Sequence, residues 1–179
     1  MMTACIRHLP QAALAACLAL LAACSSGPPQ SAALRDPGAG IWSAAAFAPA
    51  GIAGRWHQRA EAAPPGAPAC TPGTLDIRAR PDGSLALDGR LCLAGESRRI
   101  AASARAAGPG RLAVSGFADP WWVLWVDVGY RTLAIGTPSG RFGLILDRNA
   151  TGGEDRLTAA RELMEANGYA ATRLRPAGR

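Results

Sequence analysis

The chain has no lysine and only two histidines, and just 6% of its 179 residues are aromatic. Each shortage removes a class of function. All 19 basic residues are arginine, set against 13 acidic ones, for a net charge of +6. The arginines are scattered, only Arg98 and Arg99 being adjacent, and no basic helix with interleaved aromatics exists to follow a nucleic-acid backbone. Alanine, glycine, proline and arginine dominate, which points to a GC-rich coding bias. The charge therefore reads as a solvated surface with some attraction to anionic headgroups. His8 falls in the N-terminal stretch, so His57 is the one imidazole left for later chemistry. Next to Trp56 it reads as a structural residue. No C-x-x-C, Ser/His/Asp arrangement, paired-carboxylate signature or glycine-rich phosphate loop is present. No enzyme, metal or cofactor is expected, and nucleic acid is not an expected partner.

Long apolar runs are also missing. The apolar stretch Ala12 to Leu21 is too short to span a bilayer as a permanent helix. It follows Arg7 and leads into Leu21-Ala22-Ala23-Cys24. That order fits an export signal over residues 1–23, and its end resembles a bacterial lipobox. The resemblance implies cleavage before Cys24, acylation of its thiol, and a membrane partner reached through the lipid. Each buried methylene of such an anchor contributes about 0.8 kcal/mol. The expected location is the cell envelope, at the outer membrane facing the periplasm. Residues 24–50 are rich in Ala, Pro, Gly and Ser without a sustained period, and read as a tether. Ile41, Trp42 and Phe47 are its bulky residues, free to dock or to stay loose.

Of five cysteines, Cys5 and Cys17 lie in the signal and Cys24 carries the lipid. Cys70 and Cys92 remain as one pair in an oxidising compartment, which predicts a structural disulfide. Such a bond contributes on the order of 2–4 kcal/mol.

From Gly54 onward the pattern is that of strands. Leu75 and Ile77 alternate with Asp76 and Arg78. Pro81-Asp82-Gly83 is a turn. Leu85, Leu87, Leu91 and Leu93 share one parity, with Gly89 at a bend. Ile100, Ala102 and Ala104 alternate with Arg99, Ser103 and Arg105. Strands at Trp121–Asp127, Thr132–Gly136 and Arg141–Asp147 complete a set of about eight with short connections. The fold class this predicts is all-β: an eight-stranded antiparallel up-and-down barrel over residues 51–176. One helix follows, with Thr151-x-x-Glu154 as a capping box, Leu157, Ala160, Leu163 and Met164 as an apolar stripe, and Gly168 as terminator. Tyr169 to Leu174 reads as a final strand.

Gly54-Arg55-Trp56, then Asp127 and Tyr130, then Arg148 resemble the three motifs of the lipocalin family, and the chain is similar to its bacterial lipoprotein members. The resemblance runs from residue 54 to 174 and is strongest from Trp121 to Tyr169. It departs at His57, where the family usually has an aromatic, and at Val126, where it usually has Thr. It implies that Trp56 lies across the closed end of the barrel, with Arg148 packed over it as a cation–π pair. Parity agrees: Phe142, Leu144, Leu146 and Arg148 share one side of their strand. It also implies a helix outside the barrel and a cup lined by Trp121, Val123, Trp125, Phe142 and Leu144. The expected partner is a small lipophilic molecule of fatty-acid or lysophospholipid type, held for storage or transport, with Arg98 near the rim for an anionic head. The alternative is a barrel filled by its own side chains, acting as an envelope interaction module with outward Trp122 in the contact surface.

Overall fold

The structure is a computed structural model that describes residues 33–177; the signal segment and Cys24 lie outside the described residues. Among the described residues nine strands follow one another: β1 Gly54–Ala62, β2 Thr74–Ala79, β3 Leu85–Leu93, β4 Glu96–Ala106, β5 Arg111–Val114, β6 Trp121–Val126, β7 Thr132–Gly136, β8 Gly143–Asp147 and, last, β9 Leu174–Pro176. Helix α1, Glu154–Ala166, separates β8 from β9. Each of β1 to β7 pairs antiparallel with the next, and β8 returns to β1. This closes the expected eight-stranded up-and-down barrel, with β9 added to the free stretch of β1.

Alternation builds the wall. Leu75 and Ile77 on β2 are buried while Arg78 is exposed. On β3 the bend is at Gly89, opposite Leu75. A Cβ there would collide with the Thr74 carbonyl, so β2 and β3 approach more closely than a side chain permits. The inward residues form one apolar cluster inside the barrel. A second cluster forms outside it, where Ala60, Leu124, Ala134 and Ile145 meet Leu157, Ala160 and Met164 of α1. Because α1 covers that side, β7 and β8 are buried on both faces, and every residue of each is buried.

Cys70 and Cys92 are joined in a disulfide with a Cα–Cα distance of 5.9 Å. It ties the β1–β2 loop to the end of β3.

Three sequence readings need correction. The tether is part of the folded domain from residue 33 on. Leu34 N–H donates to the Gly140 carbonyl at 2.7 Å, and the Arg35 guanidinium donates to the carbonyls of Asn167, Pro138 and Ala39 at 3.0, 2.9 and 2.6 Å. Phe47 belongs to the interior cluster. These anchors are single residues with distant partners and leave no period in the sequence. The capping box does not form. Gly153, at φ +73, is the N-cap and places Glu154 at the first helical position, so Thr151 lies too far back to cap. The stripe and the terminator are as read, except that Leu163 is half-buried; Gly168 has φ +88. The final strand begins only at Leu174, because a 3-10 turn, Ala171–Arg173, follows Tyr169, whose hydroxyl accepts from the Thr137 N–H and donates to the Phe142 carbonyl.

Candidate ligand-binding site

The barrel is closed at its base. The Trp56 indole is fully buried and donates its Nε1–H to the Ile52 carbonyl at 2.8 Å. The Arg148 guanidinium carbon lies 3.8 Å from the Trp56 ring centroid. Its nitrogens donate to the carbonyls of Ala53 at 2.9 Å, Tyr130 at 3.1 Å, and Gly51 and Arg55 at 3.3 Å. Four carbonyl dipoles and a π face thus stand in for a carboxylate. Burial pushes the guanidinium pKa down, but arginine is not deprotonated in proteins. Gly54 makes room for the stack: at φ +117 it carries no Cβ where one would strike Arg148 Nη1.

The turn beside the base is organised by Asp127. Its carboxylate accepts the N–H groups of Gly129, Arg131 and Thr132 and the Arg131 Nε–H. Burial raises its pKa, but these donors together outweigh it and hold the carboxyl below the usual carboxylate value of 3.8. A depressed folded-state pKa contributes stability above the unfolded value, and that stability is lost as pH falls through the folded value. Asp127→Asn should therefore cost about 1–2 kcal/mol at neutral pH. The gap to wild type should close as pH falls below 3.8. Urea unfolding from neutral to strongly acidic pH tests this, and a gap that stays constant with pH would refute it.

Above the base, the wall is apolar. Trp121, Val123, Phe142 and Leu144 all belong to the interior cluster, as expected. Trp125 does not. The β6–β7 register shifts between Val123 and Trp125, so the alternation slips by one residue. Leu124 and Trp125 both face the outer cluster, and Val126 returns to the interior. Trp122 faces outward as read, packed against the outer cluster beneath the Arg111 guanidinium at 4.0 Å. His57 is on the half-buried outer side of β1.

At the open end the interior is stoppered by side chains. Phe117, in the β5–β6 loop, meets Trp121 edge-on with ring centroids 5.1 Å apart and Phe142 at 5.9 Å, and Trp121 meets Phe142 at 5.5 Å. The Arg98 guanidinium stacks over Phe117 at 4.2 Å and donates to the Gly116 carbonyl at 3.1 Å. Trp121 Nε1 is buried without a hydrogen-bond partner among the described residues. Phe117 is a site residue the sequence did not reveal. It stands alone between a glycine and an alanine, in a loop with no period. A cleft of about 370 Å³ lies at this rim on the outer side of β4 and β5, with Phe117 in its lining.

The model of the lipocalin-like domain matches residues 50–178. Solved structures agree in fold. Lobster apocrustacyanin A1 superposes with a TM-score of 0.53 at 15% identity, over 71% of this chain and 77% of that one. The cockroach allergen Per a 4 gives 0.60 at 8%, over 79% and 95%. The siderocalin Ex-FABP, described as functioning through dual ligand specificities, gives 0.58 at 13%, over 72% and 95%. A search of curated protein sequences returns no match. Membership of this domain class supports, in general terms, binding of a small hydrophobic ligand, since an eight-stranded barrel encloses one such molecule or fills with its own side chains. With its closed barrel, its external helix and its Trp56–Arg148 base, the chain belongs to the lipocalin-like domain family.

Proposed function

We propose that this protein is a lipid-anchored envelope lipocalin that holds a single-chain lipid, a fatty acid or a lysophospholipid, in its barrel for storage or transport. The observation that carries the reading is the apolar interior, sealed below by Trp56 and Arg148 and closed above only by side chains. Binding works by burial: each methylene taken from water contributes about 0.8 kcal/mol. The wall residues that would meet the chain are Trp121, Val123, Phe142 and Leu144. Acylation at Cys24 would keep the carrier at the outer membrane, facing the periplasm. No catalytic step is part of the proposal.

A second reading has its own support. The interior side chains are buried and in mutual contact, as in a filled barrel that serves as an interaction module. Native mass spectrometry with lipid extraction separates the two. A Cys24→Ser chain, purified without added lipid, should carry a co-purifying fatty acid or lysophospholipid at one per protein. A bare mass that stays unchanged after incubation with either lipid would favour the filled barrel.

A further inference from the structure

A ligand entering this barrel has to displace something, because the interior is packed. Phe117 is the member of the aromatic cluster best placed to leave. It is only half-buried, whereas Trp121 and Phe142 are strand-anchored or buried. Its loop follows Gly116 at φ +80. Beyond that loop the β5–β6 ladder has just two register pairs, Arg111 with Trp122 and Leu112 with Trp121. The ring borders the interior on one side and the 370 Å³ outer cleft on the other, so it has a place to go.

Two side chains with polar ends pack against its ring. Arg98 covers one face, is exposed, and pairs with no carboxylate among the described residues; its contacts are the Phe117 ring and the Gly116 carbonyl. Trp121 adjoins the ring from inside, and its indole N–H has no acceptor among the described residues. A buried donor without a partner is costly, and a ligand oxygen supplies one.

We propose that Arg98, Phe117 and Trp121 form a gated head-group site at the barrel mouth. A carboxylate-bearing single-chain amphiphile displaces Phe117, and its head is taken by Trp121 Nε1–H and the Arg98 guanidinium. The inference rests on the barrel being a ligand site, and it names the head chemistry that site selects. Phe117 is the stopper of the empty barrel. The swap trades a cation–π contact for a charge-assisted hydrogen bond, the stronger of the two.

Dodecanoate and dodecanol, titrated calorimetrically into the Cys24→Ser chain at about pH 8, where carboxylates are ionised, test it. The acid should bind about tenfold more tightly than the alcohol. Arg98→Gln should collapse that ratio while leaving alcohol affinity in place, and Trp121→Phe should reduce it a few-fold. Phe117→Ala should speed association of both compounds several-fold in stopped flow. Equal affinity for acid and alcohol in the wild type, or an Arg98→Gln loss shared equally by both, overturns the head-group site and leaves the carrier reading standing. An unchanged association rate in Phe117→Ala overturns the gate. Failure of both compounds to bind wild type and Phe117→Ala alike overturns the carrier reading itself, and this inference with it.

Discussion

Replacing Arg156 with methionine should destabilise the protein by about 3 kcal/mol, at the lower end of what breaking a buried ion pair costs. Asp147 ends β8 on the barrel's outer side, and its side chain is 0% exposed beneath α1. Arg156, 15% exposed, reaches it from the first turn of that helix at 3.1 Å and also donates its Nε–H to the Thr132 hydroxyl at 2.9 Å. The carboxylate keeps two other donors, the Thr132 hydroxyl and the Asn149 N–H, which is why the loss falls at the low end. The cost comes from stranding a charge, not from the pair's net worth. Adding Asp147→Asn to Arg156→Met should therefore recover about half the deficit. Urea midpoints at constant m-value measure both. A single-variant loss below about 1 kcal/mol, or no recovery in the double variant, would contradict the account.

Trp56→Ala should cost about 3–5 kcal/mol, as for other buried large-to-small changes. The indole is 0% exposed and fills the base. Its removal opens a cavity, leaves the Ile52 carbonyl without its donor, and takes the π face from Arg148. Trp56→Phe keeps an aromatic face and most of the volume but loses the Nε1–H bond, so about 1–2 kcal/mol should be lost. Equal losses for Ala and Phe would mean that the hydrogen bond, not packing, holds the base together. A loss under about 2 kcal/mol for Ala would mean that Trp56 does not seal it.

The sequence was most legible where alternation ran unbroken. β8 placed Phe142, Leu144 and Leu146 inward and carried Arg148 to the base, and the structure agrees. β6 shows the limit of the same logic. Strict alternation sent Trp121 and Trp125 to the cup and Trp122 outward, but one irregularity between Val123 and Trp125 turned Trp125 to the outside as well. A bulge of that kind is set by the neighbouring strand and leaves no mark on the residues themselves. The helix start failed for a different reason: two consecutive glycines at positive φ, Gly152 and Gly153, put the turn three residues after the threonine that looked like a cap. Leu34, Arg35, Phe47 and Phe117 were illegible because each acts alone. Leu34, Arg35 and Phe47 reach partners far along the chain, Gly140, Asn167 and Tyr130, while Phe117 itself sits in an irregular loop, and no local pattern encodes such contacts.

The seam between β1 and β8 joins residues 57–61 to residues 144–147, nearly the two ends of the domain. The loop-closure entropy for so long a stretch has to be met before the pairing returns any stabilisation. The Cys70–Cys92 bond spans a separation of 22 residues on one side of the barrel and leaves that loop open. Closure is thus the non-local step of folding. Until it happens, β1 and β8 are free strand edges and the apolar wall faces water, both of which another copy of the chain can satisfy. The seam accordingly makes refolding a race between closing on itself and pairing with a neighbour, one the single chain loses as protein concentration rises.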